Sequence, residues 1–197
     1  MSRYSNLRLP AAGRPSLEWA RRAGPRLLGL GLLLAAMQAA RAVSVGDLAP
    51  NFQLPAVRDA RSGALTVRLA DLRGKVVYLD FWASWCGPCK EEFPLLAAAR
   101  VRYAAQGLEV LGIVYQDSSS AAAAFMATEG ATWPMLLDPG KAAATAYGVL
   151  AVPESFYIDP SGVVRTLSFG PPPASGIDAL VGQILPSPSP AASGSAP

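Results

Sequence analysis

The sequence predicts an α/β sandwich built around a mixed β-sheet, between about Val43 and Leu185. Three observations carry this expectation. Two continuous apolar, β-rich runs, Lys75–Trp82 and Leu108–Tyr115, flank a helical stretch over Pro88–Gln106 that stops at Gly107. That is the order of a right-handed parallel βαβ crossover with strands buried on both faces. A turn signal, Asp159-Pro160-Ser161-Gly162, joins Ser155–Ile158 to Val163–Phe169 and adds antiparallel strands. Asn51–Val57 and Leu65–Leu69 read as an earlier short hairpin with turn residues over Asp59–Gly63.

The remaining elements follow in order. Ser119–Glu129 is an Ala-rich helix, with N-cap candidates at Ser118–Ser120 and a stop at Gly130. Met135–Leu137 is a short apolar strand candidate, Lys141–Tyr147 a short helix and Ser175–Leu185 a last helix. The final stretch, PSPSPAASGSAP (Pro186–Pro197), has no charged side chain and no large apolar one. It cannot bury enough surface to offset ordering entropy, and a disordered tail is expected there.

Charge is unevenly distributed. The whole chain carries +3, but residues 1–42 hold seven Arg against Glu18, a balance of +6. The remaining ten basic and thirteen acidic residues give −3, so the basic total does not point to nucleic acid. Within the basic segment an apolar run of 14 residues, Leu27–Ala40, follows Arg21, Arg22 and Arg26 and precedes Ala40-Arg41-Ala42. A positive region, a short apolar run and a small-x-small site describe a secretory signal peptide over 1–42. Spanning a bilayer takes about 20 apolar residues, so an uncleaved N-terminal membrane anchor is the second reading of the same segment. Both readings place residues 43–185, one domain, in an extracytoplasmic, oxidising compartment such as the periplasm.

The chain contains no His and only two Cys. This excludes Cys-His and Ser-His catalysis, histidine metal ligands and a four-ligand zinc site, and leaves no metal to expect. A c-type haem attachment needs a His after the second Cys, where Lys90 stands.

Trp85-Cys86-Gly87-Pro88-Cys89 follows the Lys75–Trp82 run directly and opens the next helix. A sulfur at a helix N-terminus meets unpaired N–H groups and the positive end of the helix dipole, which favour a thiolate. A thiol with its ordinary pKa near 8.5 is only about 3% ionised at pH 7, whereas one near 7 is about half ionised. Cys86 is therefore expected to attack and Cys89, one turn into the helix, to resolve the mixed disulfide. Pro88 suits a first turn that needs no N–H. A structural disulfide is the competing reading, but so short a loop constrains the unfolded chain little.

VVYLDFWASWCGPCKEEFPLL (Val76–Leu96), GDLAPNFQLP (Gly46–Pro55), GIVYQDS (Gly112–Ser118) and YGVLAVPESFYIDPSG (Tyr147–Gly162) together resemble the thioredoxin-like extracytoplasmic thiol:disulfide oxidoreductases of the TlpA/ResA/CcmG (DsbE) group. The first of the shorter blocks is also similar to peroxiredoxins, but Ala83 stands where their T-x-x-C pattern has Thr. The resemblance implies a thioredoxin fold with an N-terminal β-hairpin and an insert, here Ser119–Leu137, after the central βα unit. It implies a cis peptide at Val152-Pro153 facing the cysteines. Asp80, an acid inside an apolar strand, departs from that group, many of whose members have a neutral residue there, and is instead similar to the acid of thioredoxin itself that handles the proton of the second sulfur. An unpaired buried carboxylate is costly and tends to stay protonated, so Asp80 is expected to have a raised pKa and to accept the Cys89 proton. A strand-edge Asp bonded to backbone is the alternative.

Glu154, after Pro153, either tunes Cys86 and contacts a partner or is an ordinary surface acid. Trp82 is expected in the core and Trp85 on the partner-facing surface. Gly87, Pro88, Val152 and Pro153 complete the expected site. Glu91 and Glu92 are read as first-turn acids that suit the helix dipole, without a catalytic role; Asp117 is a weaker candidate.

The expected activity is thiol:disulfide exchange, working mainly as a reductant, with no cofactor beyond the Cys86/Cys89 dithiol. Disulfide-bearing proteins, apocytochrome c among them, are the expected substrates, and a membrane thiol carrier the expected electron donor. A non-catalytic apocytochrome or haem chaperone, and a disulfide oxidase or peroxidase of the same fold, are the competing functions.

Overall fold

The computed structural model describes residues 42–57 and 66–185. The expected signal or anchor segment, the turn over Asp59–Gly63 and the Pro-rich tail lie outside these residues. Among the described residues no helix is long and apolar enough to cross a membrane.

In chain order the elements are β1 (Gln53–Pro55), β2 (Thr66–Arg68), a 3-10 turn (Leu69–Leu72), β3 (Val76–Trp82), α1 (Gly87–Tyr103), a second 3-10 turn (Ala104–Gln106) and β4 (Leu108–Val114). Then come α2 (Ser119–Glu129), β5 (Met135–Leu137), α3 (Ala142–Tyr147), β6 (Glu154–Ile158), β7 (Val164–Phe169) and α4 (Ala174–Ile184). The main sheet has the order β5-β4-β3-β6-β7. β3 and β4 run parallel, as do β4 and β5, while β6 is antiparallel to both β3 and β7. β1 and β2 form a separate antiparallel pair, tied to the main sheet by a bridge between Ala56 and Leu136. This is the mixed sheet with an early hairpin and a helical insert that the sequence predicts.

β3 is central, so all seven of its residues are buried, and a run of seven without solvent-facing alternation is what that position demands. Its side chains alternate between two core layers. Val76, Tyr78 and Trp82 pack with α1, α2 and α4 through residues such as Phe93, Met126 and Val181. Val77, Leu79 and Phe81 pack on the other face with β1 and α3. Each layer is centred on aromatic rings. Phe93 lies 5.0 Å from Trp82, 5.1 Å from Phe125 and 5.2 Å from Trp133 between ring centroids, while Tyr147 lies 4.8 Å from Phe156 on the far face. Offset and edge contacts at these distances stabilise beyond area burial alone.

Local chemistry sets the ends of the elements. The hydroxyl of Ser118 accepts the Ala121 N–H at 3.1 Å to cap α2, and Gly130 ends it in the left-handed region at φ 69°. The β6–β7 turn is organised by Asp159, whose carboxylate accepts from Ser161 Oγ, the Val163 N–H and Arg165 Nε.

Gly112 of β4 is required by packing rather than by backbone conformation. A Cβ there would lie 2.2 Å from Met135 Sδ and 2.7 Å from Trp82 Nε1. Gly112→Ala is expected to lower stability by about 1–3 kcal/mol through overpacking. The urea midpoint of the folded protein reads this directly; an unchanged midpoint would mean that the β4–β5 layer has room the packing denies it.

Candidate active site

The Cys86–Cys89 disulfide closes at the junction of β3 and α1, with Cα atoms 5.3 Å apart. Cys86 is the N-cap of α1, in extended conformation, and its Sγ accepts the Cys89 N–H at 3.1 Å. A sulfur here therefore occupies the acceptor position that a Ser or Asp side chain fills in an ordinary cap. Once reduced, the same N–H and the helix dipole stabilise a thiolate on Cys86. Cys89 is fully buried, whereas Trp85, Gly87 and Pro88 are exposed around Cys86, Trp85 at 61%. A Cβ on Gly87 would touch nothing within 4 Å, so this part of the rim is open to a partner.

Two other loops meet at the same end of the sheet. The Val152–Pro153 peptide is cis, Pro153 is buried, and Val152 packs against the apolar layer that contains both cysteines. After β4, Asp117 accepts the Ser84 N–H at 2.7 Å through Oδ2 and the Ser118 N–H at 2.7 Å through Oδ1. Burial alone would raise this carboxyl, but the Ser84 hydroxyl together with those N–H groups outweighs it and holds Asp117 below its ordinary value. Asp117 thus ties the loop leading into Cys86 to the start of the insert, a contact the sequence does not reveal. The Trp85 indole N–H reaches the Gln116 carbonyl at 3.4 Å nearby.

Asp80 is completely buried in the middle of β3, on the face that carries Tyr78 and Trp82. Its Oδ1 lies within hydrogen-bond distance of Ser155 Oγ at 3.4 Å, and Oδ2 has no partner among the described residues. Desolvation, reinforced by the nearby Glu92 carboxyl and opposed only by Ser155, pushes Asp80 well above the usual carboxylate range. It is neither at a strand edge nor bonded to backbone.

Glu92 departs from the sequence reading. Because α1 starts at Gly87, Glu92 lies beyond the first turn, three residues after Cys89, and it is fully buried on the same helix face as Cys89, Phe93 and Leu96. Its Oε1 accepts from Tyr78 Oη at 2.5 Å and from Ser155 Oγ at 3.3 Å. Burial raises Glu92 to about 7, with the Tyr78 and Ser155 hydrogen bonds offsetting part of the rise. The spacing Cys89, Glu92, Phe93, Leu96, Ala99 is an apolar helical stripe interrupted by one acid, and that interruption is the sequence signal of its burial.

Glu154 does not join this cluster. In β6 it alternates with Ser155, so it shares the opposite face with Phe156 and Ile158. It is 7% exposed and lines a cleft of about 380 Å³ with Tyr147, Leu150, Leu167 and Phe169. Burial raises it to about 7, partly offset by the Leu150 N–H. It is therefore not an ordinary exposed acid.

Comparison with known proteins agrees with this geometry. Residues 45–167 match the model of the AhpC/TSA family. The thiol-disulfide oxidoreductase ResA of Bacillus subtilis is 36% identical over 137 residues, 70% of this chain and 74% of that protein; its counterpart in Geobacillus thermodenitrificans is 35% identical over 129 residues, 66% of this chain and 71% of that one. Among solved structures, a thiol:disulfide interchange protein DsbE from Chlorobium tepidum is 38% identical with a TM-score of 0.64, covering 73% of this chain and 96% of its own.

The buried acids set a pH dependence of stability. Folding raises Glu92 from 4.5 to about 7, so the native state holds this proton more tightly than the unfolded chain does. The associated stability is complete below pH 4.5 and is lost as pH rises through about 7; Glu154 acts in the same direction. The melting temperature of the oxidised protein is expected to fall between about pH 5 and about pH 8, and Glu92→Gln to flatten that fall. An undiminished slope in Glu92→Gln would contradict the burial of this carboxyl.

Proposed function

Since this chain belongs to the AhpC/TSA family and is a thiol-disulfide oxidoreductase of thioredoxin fold, we propose that it works outside the cytoplasm, mainly as a reductant of protein disulfides. Its substrates are cysteine pairs on exported proteins, apocytochromes awaiting haem attachment among them, and a membrane thiol carrier restores its dithiol.

One observation carries the reading: Cys86 caps α1 behind an exposed apolar rim, while Cys89 lies fully buried one turn deeper, on the helix face that carries Glu92 and in the layer on the Asp80 side of β3. The asymmetry assigns the order of events. The Cys86 thiolate attacks one sulfur of the substrate disulfide, and the other sulfur leaves as a thiolate. Cys89 then passes its proton to the Asp80/Glu92 carboxyl pair and attacks Cys86 Sγ. The bond between Cys86 and the substrate breaks, the second substrate thiolate departs, and the two electrons lost as the dithiol becomes the Cys86–Cys89 disulfide now reside on the two substrate thiolates. Resolution needs a base near Cys89 because a buried thiol stays protonated in an apolar layer.

Several features support the direction and the compartment. Gly87-Pro88 is the dipeptide of thioredoxin-type reductants, and the basic, apolar segment before Ala42 has the pattern of an export signal or anchor. Trp85 and the Val152-Pro153 loop offer an apolar face on which an extended substrate segment can lie.

Cys89→Ala removes the resolving thiol and is expected to strand substrates on Cys86 as mixed disulfides, identified by mass spectrometry of the trapped adducts. Apocytochromes among the adducts are the expected result. A set of adducts without them would contradict the substrate assignment. Activity retained in Cys86→Ser would contradict the dithiol mechanism itself.

A further inference from the structure

The carboxyl pair in the layer of Cys89 is held by two hydroxyl side chains that the exchange reaction does not use. Tyr78 of β3 and Ser155 of β6 are both fully buried, and their oxygens lie 3.0 Å apart. Tyr78 belongs to the apolar layer that also contains Phe93 of α1 and Ile177 and Val181 of α4, and α4 packs against β6. The titratable groups that interact with the pair are Tyr78 and Tyr157, with Cys89 on the same helix face as Glu92, and among the described residues no Lys or Arg forms an ion pair with either acid. Two carboxylates in one dry layer without a cation cannot both be ionised, so at neutral pH the pair keeps at least one proton.

The hydrogen bonds decide where that proton sits. Tyr78 has one hydroxyl proton and places it on Glu92 Oε1 at 2.5 Å. Ser155, whose Oγ is the second acceptor in reach of Tyr78 at 3.0 Å, has one proton and two acceptors of its own: Glu92 Oε1 at 3.3 Å and Asp80 Oδ1 at 3.4 Å. If Asp80 is the neutral acid, its O–H donates to Ser155 Oγ, Ser155 donates to Glu92 Oε1, and Tyr78 donates to the same oxygen. Every proton then has an acceptor, and both donors converge on the single anion. If Glu92 were the neutral acid, the anion on Asp80 would keep one long hydrogen bond from Ser155, and a proton on Glu92 Oε2 would find no acceptor among the described residues. We propose that Tyr78 and Ser155 are positioning residues that confine the single negative charge of the buried pair to Glu92 and keep Asp80 as the neutral acid.

This rests on the reading above that the pair receives the Cys89 proton, and adds which member is charged and which residues make it so. The test is side-chain carboxyl NMR of the oxidised protein labelled with ¹³C at Asp and Glu, titrated across neutral pH, in the parent, Tyr78→Phe, Ser155→Ala and Ser155→Thr. In the parent, Glu92 is expected to titrate at lower pH than Asp80. Tyr78→Phe removes a charge-assisted bond and is expected to move the Glu92 midpoint up by about one pH unit. Ser155→Ala moves it the same way, and Ser155→Thr, which keeps the hydroxyl, restores it. Asp80 titrating first in the parent would overturn the inference, and that measurement needs no variant to fold. Midpoints unchanged in Tyr78→Phe would overturn it equally. The pH profile of Cys89 alkylation in the reduced protein separates the two readings. A shifted Glu92 midpoint with an unshifted Cys89 profile supports the charge placement and sinks the acceptor role.

Discussion

The docking of α1 on β3 is the constraint from which the rest of the site follows. One helix face, Cys89, Glu92, Phe93, Leu96 and Ala99, is buried against a strand that is itself buried throughout. Phe93, wedged among Trp82, Phe125 and Trp133, sets the rotation of the helix. With that rotation fixed, Cys86 must sit at the tip, where it caps the helix, and Cys89 must point inward. The difference between an attacking and a resolving sulfur is therefore a consequence of packing, since the two residues are chemically identical.

The same docking carries a cost. It places Glu92 against Asp80 in a layer with no cation within ion-pair distance among the described residues, which is unfavourable for either charged form. A hydrophobic pair would be more stable there, as is common for buried ionisable groups near reactive centres. Tyr78 and Ser155 relieve part of the penalty without adding charge. Residual instability above neutral pH accompanies a proton acceptor kept dry beside a buried thiol. The opposite face of the sheet follows ordinary packing, apart from Glu154 at the edge of its cleft.

Much of this architecture was legible in the sequence because the strands are short, strongly apolar and punctuated by turn chemistry. The β3 and β4 runs, the Ser118-to-Gly130 bounds of α2 and the Asp159–Gly162 turn each depend on local residues, and each forms within a residue of the expected place. Asp80 was visible as one acid in an apolar strand. Glu92 was not, because Glu91 and Glu92 look alike until the helix phase is fixed by Cys86 as the cap; one then faces solvent and the other the core. The Asp117 tie to Ser84 was hidden for a different reason, since it joins loops 33 residues apart whose meeting depends on the β3–β4 register. Glu154 differs again: strand alternation assigns its face, but only the tertiary packing shows that this face is closed.

The central claim is that packing makes two identical thiols unequal. Alkylation of the reduced protein at pH 7 by a small iodoacetamide reagent, quenched over time and resolved by peptide mass spectrometry, measures this directly. The account predicts that Cys86 is modified at least about tenfold faster than Cys89, as a helix-capping thiolate just beneath an open rim against a thiol with no exposed surface. Equal rates, or modification of Cys89 first, would contradict it.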